Sequence, residues 1–272
     1  MIIEGWRSYN HTALPTTPPH ISPNLDPVET GEIWKLDGAP YMVRYTTDFD
    51  CEQATDWWYI IKRAPYDIES LPPKKRKHIR QAVKKCEVRI IDQKDYLEEL
   101  WEVYDAAFAR YVNAKNTETK EHFIKKLKSS KNRVFWGAFD RATGQLVGYM
   151  SCGEYEDYVN IYVSKYHPQY LNLRASDALN DAVMAYYINQ KQKTYICRGE
   201  RSILHITNAQ EYAIENFGFQ KAYCQLHIKY SKKIEWVVKL LYPFRKIINS
   251  VHIPIAEKVS AVLLMEEIAR KK

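Results

Sequence analysis

Residues 193–230 contain the feature that most constrains the fold: a strand and a short helix that a glycine joins to a second strand. β-branched and aromatic residues dominate positions 194–198, which predicts a strand that ends at Gly199. Positions 208–217 carry apolar residues at helical spacing, and Gly218 follows them. Glycine takes the left-handed conformation that ends a helix without steric penalty. Alternating apolar residues then predict the second strand, so the helix must lead directly into a sheet.

The composition is that of a large globular chain with a modest positive charge. Its 272 residues are 46% hydrophobic, enough for a core that needs no disulfides. The five cysteines lie singly without a CxxC pair, which predicts reduced thiols in a cytoplasmic compartment and no metal site. We find neither a signal peptide pattern nor a run of about 18 apolar residues that would predict a spanning helix. The net charge of +7 permits anionic partners such as a phosphorylated cofactor, tRNA or an acidic membrane.

The N-terminal part of the chain predicts an arm followed by a β-rich extension. Five prolines among residues 1–30 predict an irregular arm. In residues 31–91, the apolar runs on either side of Asp37-Gly38 predict a β-hairpin. Ser70 is the predicted N-cap of a basic helix that completes this segment.

The basic helix carries seven lysines and arginines. They are Lys74, Lys75, Arg76, Lys77, Arg80, Lys84 and Lys85. Such a run is typical either of a phosphate or RNA contact surface or of a solvated helix face. The run contains no aromatic platform on which bases could stack, and both interpretations stay open.

The order of predicted elements from residue 88 is strand, helix, helix, three strands, helix, strand, helix, strand. This order resembles the GNAT acyltransferase fold, in which a mixed sheet opens between its fourth and fifth strands and holds the cofactor thioester there. The run NAQEYAIENFGFQKAY at 208–223 resembles the last motif of that family, and residues 57–91 resemble the Arg-rich helix of FemAB-like members. These members include amino-acid transferases of peptidoglycan bridge synthesis. The resemblance implies an α/β (α+β) core at 88–231 with a mixed, mainly antiparallel sheet flanked by helices.

The resemblance also implies where an acyl donor would bind. The pantetheine arm of acetyl-coenzyme A or another acyl-coenzyme A would pair with the backbone of the fourth strand at Ile161, Tyr162 and Val163. Its pyrophosphate would lie at the N-terminus of the following helix, where free N–H groups and the helix dipole favour an anion.

The phosphate loop departs from the family pattern. Gln169, Asn172 and Arg174 occupy the positions of the loop motif, and both of its glycines are missing. Asn172 tolerates a left-handed conformation and Arg174 offers charge, so these three residues are the implied phosphate contacts. The missing glycines leave an aminoacyl-tRNA as an alternative donor.

Acyl transfer to an amine requires a proton acceptor and commonly an acid for the leaving group. The predicted catalytic residues are Glu154, Ser202 and His205, and the predicted acceptor-binding residues are Glu200, Arg201 and Asn208. Around residues 199–208 a cationic group, a hydroxyl and an imidazole fall close together at the mouth of the opening. The alternative is that Ser202 and Asn208 only cap a helix and His205 fills a polar surface.

The acid of many relatives is a tyrosine, and Ile214 stands at that position here. Tyr212 lies two residues earlier, about 200° around a helix, so it is predicted to be a core or surface aromatic without a chemical role.

Residues 232–272 predict two amphipathic helices with a kink at Pro243. Such helices either dock on the rest of the chain or on a homodimer partner, or lie on an anionic membrane. Membrane contact would suit a lipid-linked acceptor.

The sequence as a whole predicts an N-acyltransferase that acts on a small-molecule or lipid-linked amine such as a cell-envelope or polysaccharide precursor. Its predicted location is the cytoplasm or the inner membrane face. A FemAB-like aminoacyl-tRNA-dependent transferase and a non-catalytic module that binds a membrane or a partner protein are the alternatives.

Overall fold

A computed structural model describes residues 1–52, 56–110, 118–130, 132–203, 209–250 and 253–271, which form ten strands and nine α-helices. The strands are β1 (Trp6–Tyr9), β2 (Thr12–Pro15), β3 (Met42–Thr47), β4 (Asp56–Arg63), β5 (Cys86–Ile91), β6 (Val134–Asp140), β7 (Leu146–Glu154), β8 (Tyr158–Tyr166), β9 (Tyr195–Glu200) and β10 (Gln220–Tyr230). The helices are α1 (Asp26–Glu29), α2 (Pro73–Lys85), α3 (Leu97–Phe108), α4 (Lys120–Ser129), α5 (Ala175–Met184), α6 (Ala209–Phe217), α7 (Lys232–Leu241), α8 (Arg245–Ile248) and α9 (Pro254–Ala269).

The chain divides into two compact units that are both discontinuous in sequence. Unit 1 comprises Met1–Tyr59, Glu200–Thr207 and Lys221–Lys272, and unit 2 comprises Ile60–Gly199 and Asn208–Gln220. This division differs from the predicted segments 1–30, 31–91, 88–231 and 232–272. The physical reason in unit 1 is that β10 pairs antiparallel with β3, which joins the two ends of the chain.

The prediction of an irregular arm at residues 1–30 is wrong, because two strands of unit 1 lie there. β1 and β2 form an antiparallel hairpin, and β2 pairs parallel with β3. Asn10 and His11 connect the hairpin with φ values of 47° and 56°, as the two central residues of a tight hairpin turn require. Trp6 is 5% exposed and packs in the core of unit 1 with Val43 and Tyr45. The prolines therefore flank a hairpin instead of preventing one.

The predicted hairpin around Asp37-Gly38 is also wrong in its first half. Glu32–Lys35 is a 3-10 helix, whereas the second predicted strand is present as β3. Ile33 is fully buried and Leu36 is buried three residues later, a spacing that one face of a 3-10 turn also satisfies. A short apolar run therefore did not distinguish the two conformations.

Unit 2 is the predicted mixed, mainly antiparallel sheet flanked by helices. β5, β6, β7 and β8 pair antiparallel in that order, and β9 pairs parallel with β8. α3 and α4 cover a core that includes Leu100, Phe123 and Tyr149. α5 packs against β5, β6 and β7. The predicted fold class is confirmed for this unit.

The basic helix begins later than predicted. Its N-cap is Pro72, and Ser70 instead ends the preceding 3-10 turn, where its hydroxyl donates to the Asp67 carbonyl oxygen at 2.7 Å. The helix ends at Lys85, as predicted.

The five cysteines are free thiols, and all but Cys51 are buried. No helix among the described residues is long and apolar enough to cross a membrane.

Candidate active site

β8 and β9 separate after three residue pairs. Tyr158, Val159 and Asn160 pair with Tyr195, Ile196 and Cys197. β8 continues to Tyr166, and its other edge stays paired with β7 as far as Gly148. Beyond Asn160, no described residue pairs with the β9-facing edge of β8 as a strand. This is the predicted opening between the fourth and fifth strands of the core.

The predicted donor strand contains a β-bulge. Ser151 lies opposite Val163 and Cys152 opposite Ile161, so Tyr162 is the extra residue on β8. Gly153 makes room for its ring, because a Cβ there would lie 2.6 Å from Tyr162 Cε2. A bulge interrupts the ladder of backbone hydrogen bonds, so the backbone of β8 around Tyr162 is irregular where it borders the opening.

The turn before α5 contains a residue in the left-handed conformation that usually requires glycine, although no glycine is present there. Pro168–Leu173 is a 3-10 turn, and Arg174 follows it with φ 60° and ψ 38° as the N-cap of α5. Asn172 is exposed within the turn, and its carbonyl oxygen accepts a hydrogen bond from Lys85 Nζ at 3.2 Å. Arg174, and not Asn172, therefore takes the left-handed position that favours glycine. Gln169 is exposed in the same turn.

A buried charged cluster joins α2, α5 and α6. The side chains of Lys75 and Asp177 are 5% and 2% exposed, and Lys75 Nζ lies 2.8 Å from Asp177 Oδ1. Lys75 Nζ also donates to the Tyr212 hydroxyl oxygen at 3.0 Å, and that hydroxyl donates to Asp177 Oδ1 at 2.6 Å. Burial, followed by the hydrogen bond and the negative charge of Asp177, raises the pKa of Tyr212. Tyr212 therefore stays protonated near neutral pH.

A second polar group spans the opening between β8 and β9. Arg198 of β9 donates to Asn180 Oδ1 at 2.6 Å and to the Ser164 hydroxyl of β8 at 3.5 Å. The Tyr166 hydroxyl lies near Arg198 and Ser164, and burial raises its pKa. Its buried oxygen meets no described residue in hydrogen-bond geometry. Arg198 therefore links β9 to α5 and, across the opening, to β8.

One face of β8 borders a cavity of about 360 Å³ under α3 and α4. Its walls include Tyr104, Phe123, Tyr149, Val163 and Arg133. The Ser151 hydroxyl is buried at this cavity and has no hydrogen-bond partner among the described residues. A volume of this size suits a small molecule with one or two polar groups.

Lys165 of β8 lies between aromatic side chains of α3. Its Nζ is 3.9 Å from the Phe108 ring centroid and 5.5 Å from that of Tyr104. Burial lowers the pKa of Lys165 to about 8. This amine therefore titrates close to the physiological range.

Comparison with solved structures identifies the fold. FemX has a TM-score of 0.56 and 7% identity, and the alignment covers 78% of this chain and 77% of FemX. The chain has the fold of FemX. This finding confirms the predicted fold, and at 7% identity it concerns the fold alone.

Two further solved structures align less closely. L-PGS from Bacillus licheniformis has a TM-score of 0.48 and 11% identity, and the alignment covers 87% of this chain and 83% of L-PGS. PaiA N-acetyltransferase from Thermoplasma acidophilum, solved in complex with coenzyme A, has a TM-score of 0.31 and 20% identity, and the alignment covers 39% of this chain and 74% of PaiA. No protein-family model matches the sequence, and no curated protein sequence matches it.

The predicted site residues fall into both units of this FemX-like fold. In unit 2, Glu154 ends β7 opposite Val159, beside the last paired residues of β8 and β9, and its carboxylate lies 3.5 Å from Lys193 Nζ. The predicted donor residues of β8 and the phosphate loop after it are also in unit 2. Glu154 thus lies at the closed end of the opening, and its role as a base stays a prediction.

The predicted acceptor residues belong to unit 1. Glu200 forms an ion pair with Arg44. Arg201 lies 2.7 Å from Asp56 Oδ1 and stacks on the Trp57 ring, and Ser202 is half-buried. His205 and Asn208 lie outside the described residues. The acceptor role of this group stays a prediction.

Sequence reasoning missed the charged cluster of α2, α5 and α6. A signal was present, because Lys75 is four residues before Ile79 and seven before Ala82, the buried stripe of α2. A lysine on an apolar stripe indicates a buried ion pair. The partners Asp177 and Tyr212 are distant in sequence and carry no local signal.

Among the described residues, no group of three or more His, Cys, Asp or Glu side chains is arranged to hold a metal ion.

Proposed function

We propose that this chain is an N-acyltransferase that transfers an acyl group from a coenzyme A thioester to an amine. The observation that carries the proposal is the open edge of β8, which is followed, after the 3-10 turn Pro168–Leu173, by the N-terminus of α5. A donor arm that contains amides can pair with such an edge as a strand does. Its phosphates would then reach the first turn of α5 and the side chain of Arg174.

The reaction forms a C–N bond as the amine attacks the thioester carbonyl, and the C–S bond breaks as the thiolate leaves. A backbone N–H at the β8 bulge would donate to the developing oxyanion. Glu154, Ser202 and His205 are the proposed participants in moving the proton from the amine. The high pKa of Tyr212 makes it a weak acid, so we assign this residue a positioning role through Asp177.

The cavity beside β8 is the proposed site for the body of the acceptor or of the transferred acyl group. Val163 belongs both to the donor strand and to the cavity wall, so a group held there lies next to the donor. The Arg133 guanidinium in the cavity wall favours a ligand with a carboxylate or phosphate, because this group binds such anions with paired hydrogen bonds.

We place the acceptor among small-molecule or lipid-linked amines such as cell-envelope or polysaccharide precursors. We also propose that the protein is located in the cytoplasm, either free or at the inner face of the membrane. The free thiols support a reducing compartment.

The test is a thermal-shift titration with acetyl-coenzyme A, followed by isothermal titration. Saturation to about 100 times Kd stabilises the native state by roughly 2.7 kcal/mol. Arg174→Gly keeps the left-handed turn while it removes the charge, so we expect affinity to fall about tenfold. Lys94→Ala, which changes an exposed lysine on another part of unit 2, is the matched control and should bind normally. Absence of any shift in folded protein would exclude the coenzyme A donor.

A second candidate donor is an aminoacyl-tRNA, and the exposed part of α2 is the observation that favours it. Lys75 is buried, and Arg76 and Arg80 pair with Glu69 at 2.8 and 2.6 Å. The exposed lysines of the helix are Lys74, Lys77, Lys84 and Lys85. The C-terminal end of α2 reaches the α5 turn through Lys85, so this basic surface continues to the proposed phosphate site.

The salt dependence of tRNA binding separates the two donors. A specific tRNA complex should lose affinity with rising salt, with a slope of nearly one per neutralised phosphate. Replacing Lys74, Lys77 and Lys84 by alanine should lower that slope by about 2 to 3. Lys94→Ala again serves as the control. A folded chain that binds neither donor would instead be a binding module.

A further inference from the structure

The helices α7 and α8 of unit 1 expose a row of large apolar side chains. The exposed fractions are 77% for Trp236, 70% for Leu240, 54% for Phe244 and 66% for Ile247. Trp236 and Leu240 are four residues apart on α7 and therefore lie on one face of that helix, whereas Phe244 ends the 3-10 turn Tyr242–Phe244 and Ile247 lies on α8. Val238 on the opposite side is 6% exposed and anchors α7 to its own unit. Soluble proteins seldom leave a contiguous surface of this kind without a partner.

Lysines border this apolar row. Lys232, Lys233 and Lys246 are exposed and form no ion pair with any residue that the structure describes. The two remaining cations are neutralised, since Lys239 pairs with Glu235 at 2.6 Å and Arg245 with Glu267 at 3.4 Å. The face therefore combines an apolar centre with an uncompensated positive border.

We propose that this face binds the surface of an anionic membrane and lies in the interface without crossing the bilayer. Tryptophan and phenylalanine enter the boundary between head groups and acyl chains, while lysine side chains extend to lipid phosphates. A second copy of the chain is a poorer occupant, because a two-fold symmetric contact would face this uncompensated positive border against an identical one. The charge pattern thus selects anionic lipid.

The other helix of the tail has a different partner. Leu263, Met265 and Ile268 of α9 are buried, and Met265 and Ile268 pack against Met42, Trp58 and Leu226 of the same unit. Docking on the chain therefore accounts for α9 and leaves the apolar row of α7 and α8 uncovered by any described residue.

The test uses the full chain and co-sedimentation with lipid vesicles. We expect binding to vesicles that contain phosphatidylglycerol and about 100-fold weaker binding to pure phosphatidylcholine, since each of the three lysines contributes roughly fivefold. The double variant Trp236→Ser/Leu240→Ser should lose at least about tenfold in affinity, because it removes the two most exposed apolar side chains. Its melting curve should match the wild type, since neither side chain is buried.

A matched control is Tyr9→Ser, which removes an aromatic side chain of 60% exposure from β1 of the same unit. It should bind vesicles normally. Lys232→Gln/Lys233→Gln/Lys246→Gln should remove the preference for phosphatidylglycerol. Equal affinity of the wild type for both vesicles, or no binding to either, overturns the proposal. So does a concentration-dependent dimer that Trp236→Ser/Leu240→Ser abolishes, because a second copy would then cover the row. None of these outcomes depends on acyl transfer, and coenzyme A binding to unit 2 is measured separately.

Discussion

Among individual residues, Lys75 and Asp177 have the least exposure of any charged pair described in the structure. A buried charge that loses its partner destabilises the fold strongly, whereas replacing both members by uncharged side chains is often close to neutral. The pair lies beside Tyr212, so the same contacts that hold α2, α5 and α6 together also orient a hydroxyl near the opening of the sheet.

We expect Asp177→Asn to reduce the free energy of unfolding by about 3 to 5 kcal/mol, because Lys75 would be left buried without an anion. Lys75→Met/Asp177→Asn should be more stable than Asp177→Asn alone. Urea unfolding at neutral pH measures both variants. If the double variant is less stable than the single one, Lys75 is not the residue that makes the loss of Asp177 costly.

Lys165 should make stability depend on pH above neutrality. Burial lowers its pKa from 10.5 to about 8, so between these values the unfolded chain binds more protons than the folded one. The free energy of unfolding therefore rises as the pH increases from about 8 to 10.5. Lys165→Met should flatten this rise and stabilise the protein at pH 7 by about 1 to 2 kcal/mol, after allowance for solvent screening.

Urea unfolding at pH 7 and at pH 9.5 checks the Lys165 prediction, with Lys94→Met as the control for loss of one exposed lysine. If the free energy of unfolding changes equally with pH in the wild type and in Lys165→Met, groups other than Lys165 produce the pH dependence.

The side-chain contacts between residues distant in sequence were not predicted from the sequence. Tyr212 was predicted to have no chemical role, and its hydroxyl contacts with Lys75 and Asp177 were not predicted. Its partner Lys75 lies 137 residues away and Asp177 lies 35 away, so no local pattern reports them. The ion pairs of Glu200 and Arg201 were missed for the same reason.

Among the elements, the turn from β8 into α5 contains the backbone strain closest to the proposed donor site. A side chain in the left-handed region costs about 1 to 2 kcal/mol, and glycine avoids this cost. We expect Arg174→Gly to be more stable than Arg174→Ala by about 1 kcal/mol, because both remove the side chain but only glycine removes the strain. Chemical denaturation of the two variants provides the comparison. Equal stabilities would indicate that the turn adopts another conformation in solution.

Most elements of unit 2 were predictable from local patterns. β6 and β7 flank a turn with Gly144 at φ 73°, and α3 and α4 carry apolar residues at helical spacing. The elements of unit 1 that were predicted wrongly are short. The Asn10-His11 turn supports a hairpin of four-residue strands, and Ile33 with Leu36 fits two conformations, so tertiary packing decides both.

At the scale of the whole molecule, the C-terminal helix should be required for the stability of unit 1. Met265 and Ile268 are part of the core that contains Met42 and Leu226. A chain ending at residue 252 should therefore lose hydrogen-exchange protection in β3, since its core would be open to water. The double variant Trp236→Ser/Leu240→Ser should keep that protection. Unchanged exchange in the shortened chain would mean that α9 contributes little to this core.

The alternation of the two units along the chain has a consequence for synthesis on the ribosome. Residues 60–220 supply all of unit 2, whereas unit 1 needs both residues 1–59 and residues 221–272. The partner strand of β3, β10, is therefore translated only after about 170 further residues, a delay on the order of 10 s. During that interval Trp58, which is buried in the finished protein, lacks Cys224, Leu226, Met265 and Ile268, the residues that make up most of its core. Residues 1–59 are thus made before unit 2 but are completed after it, and a nascent-chain chaperone would matter most for them.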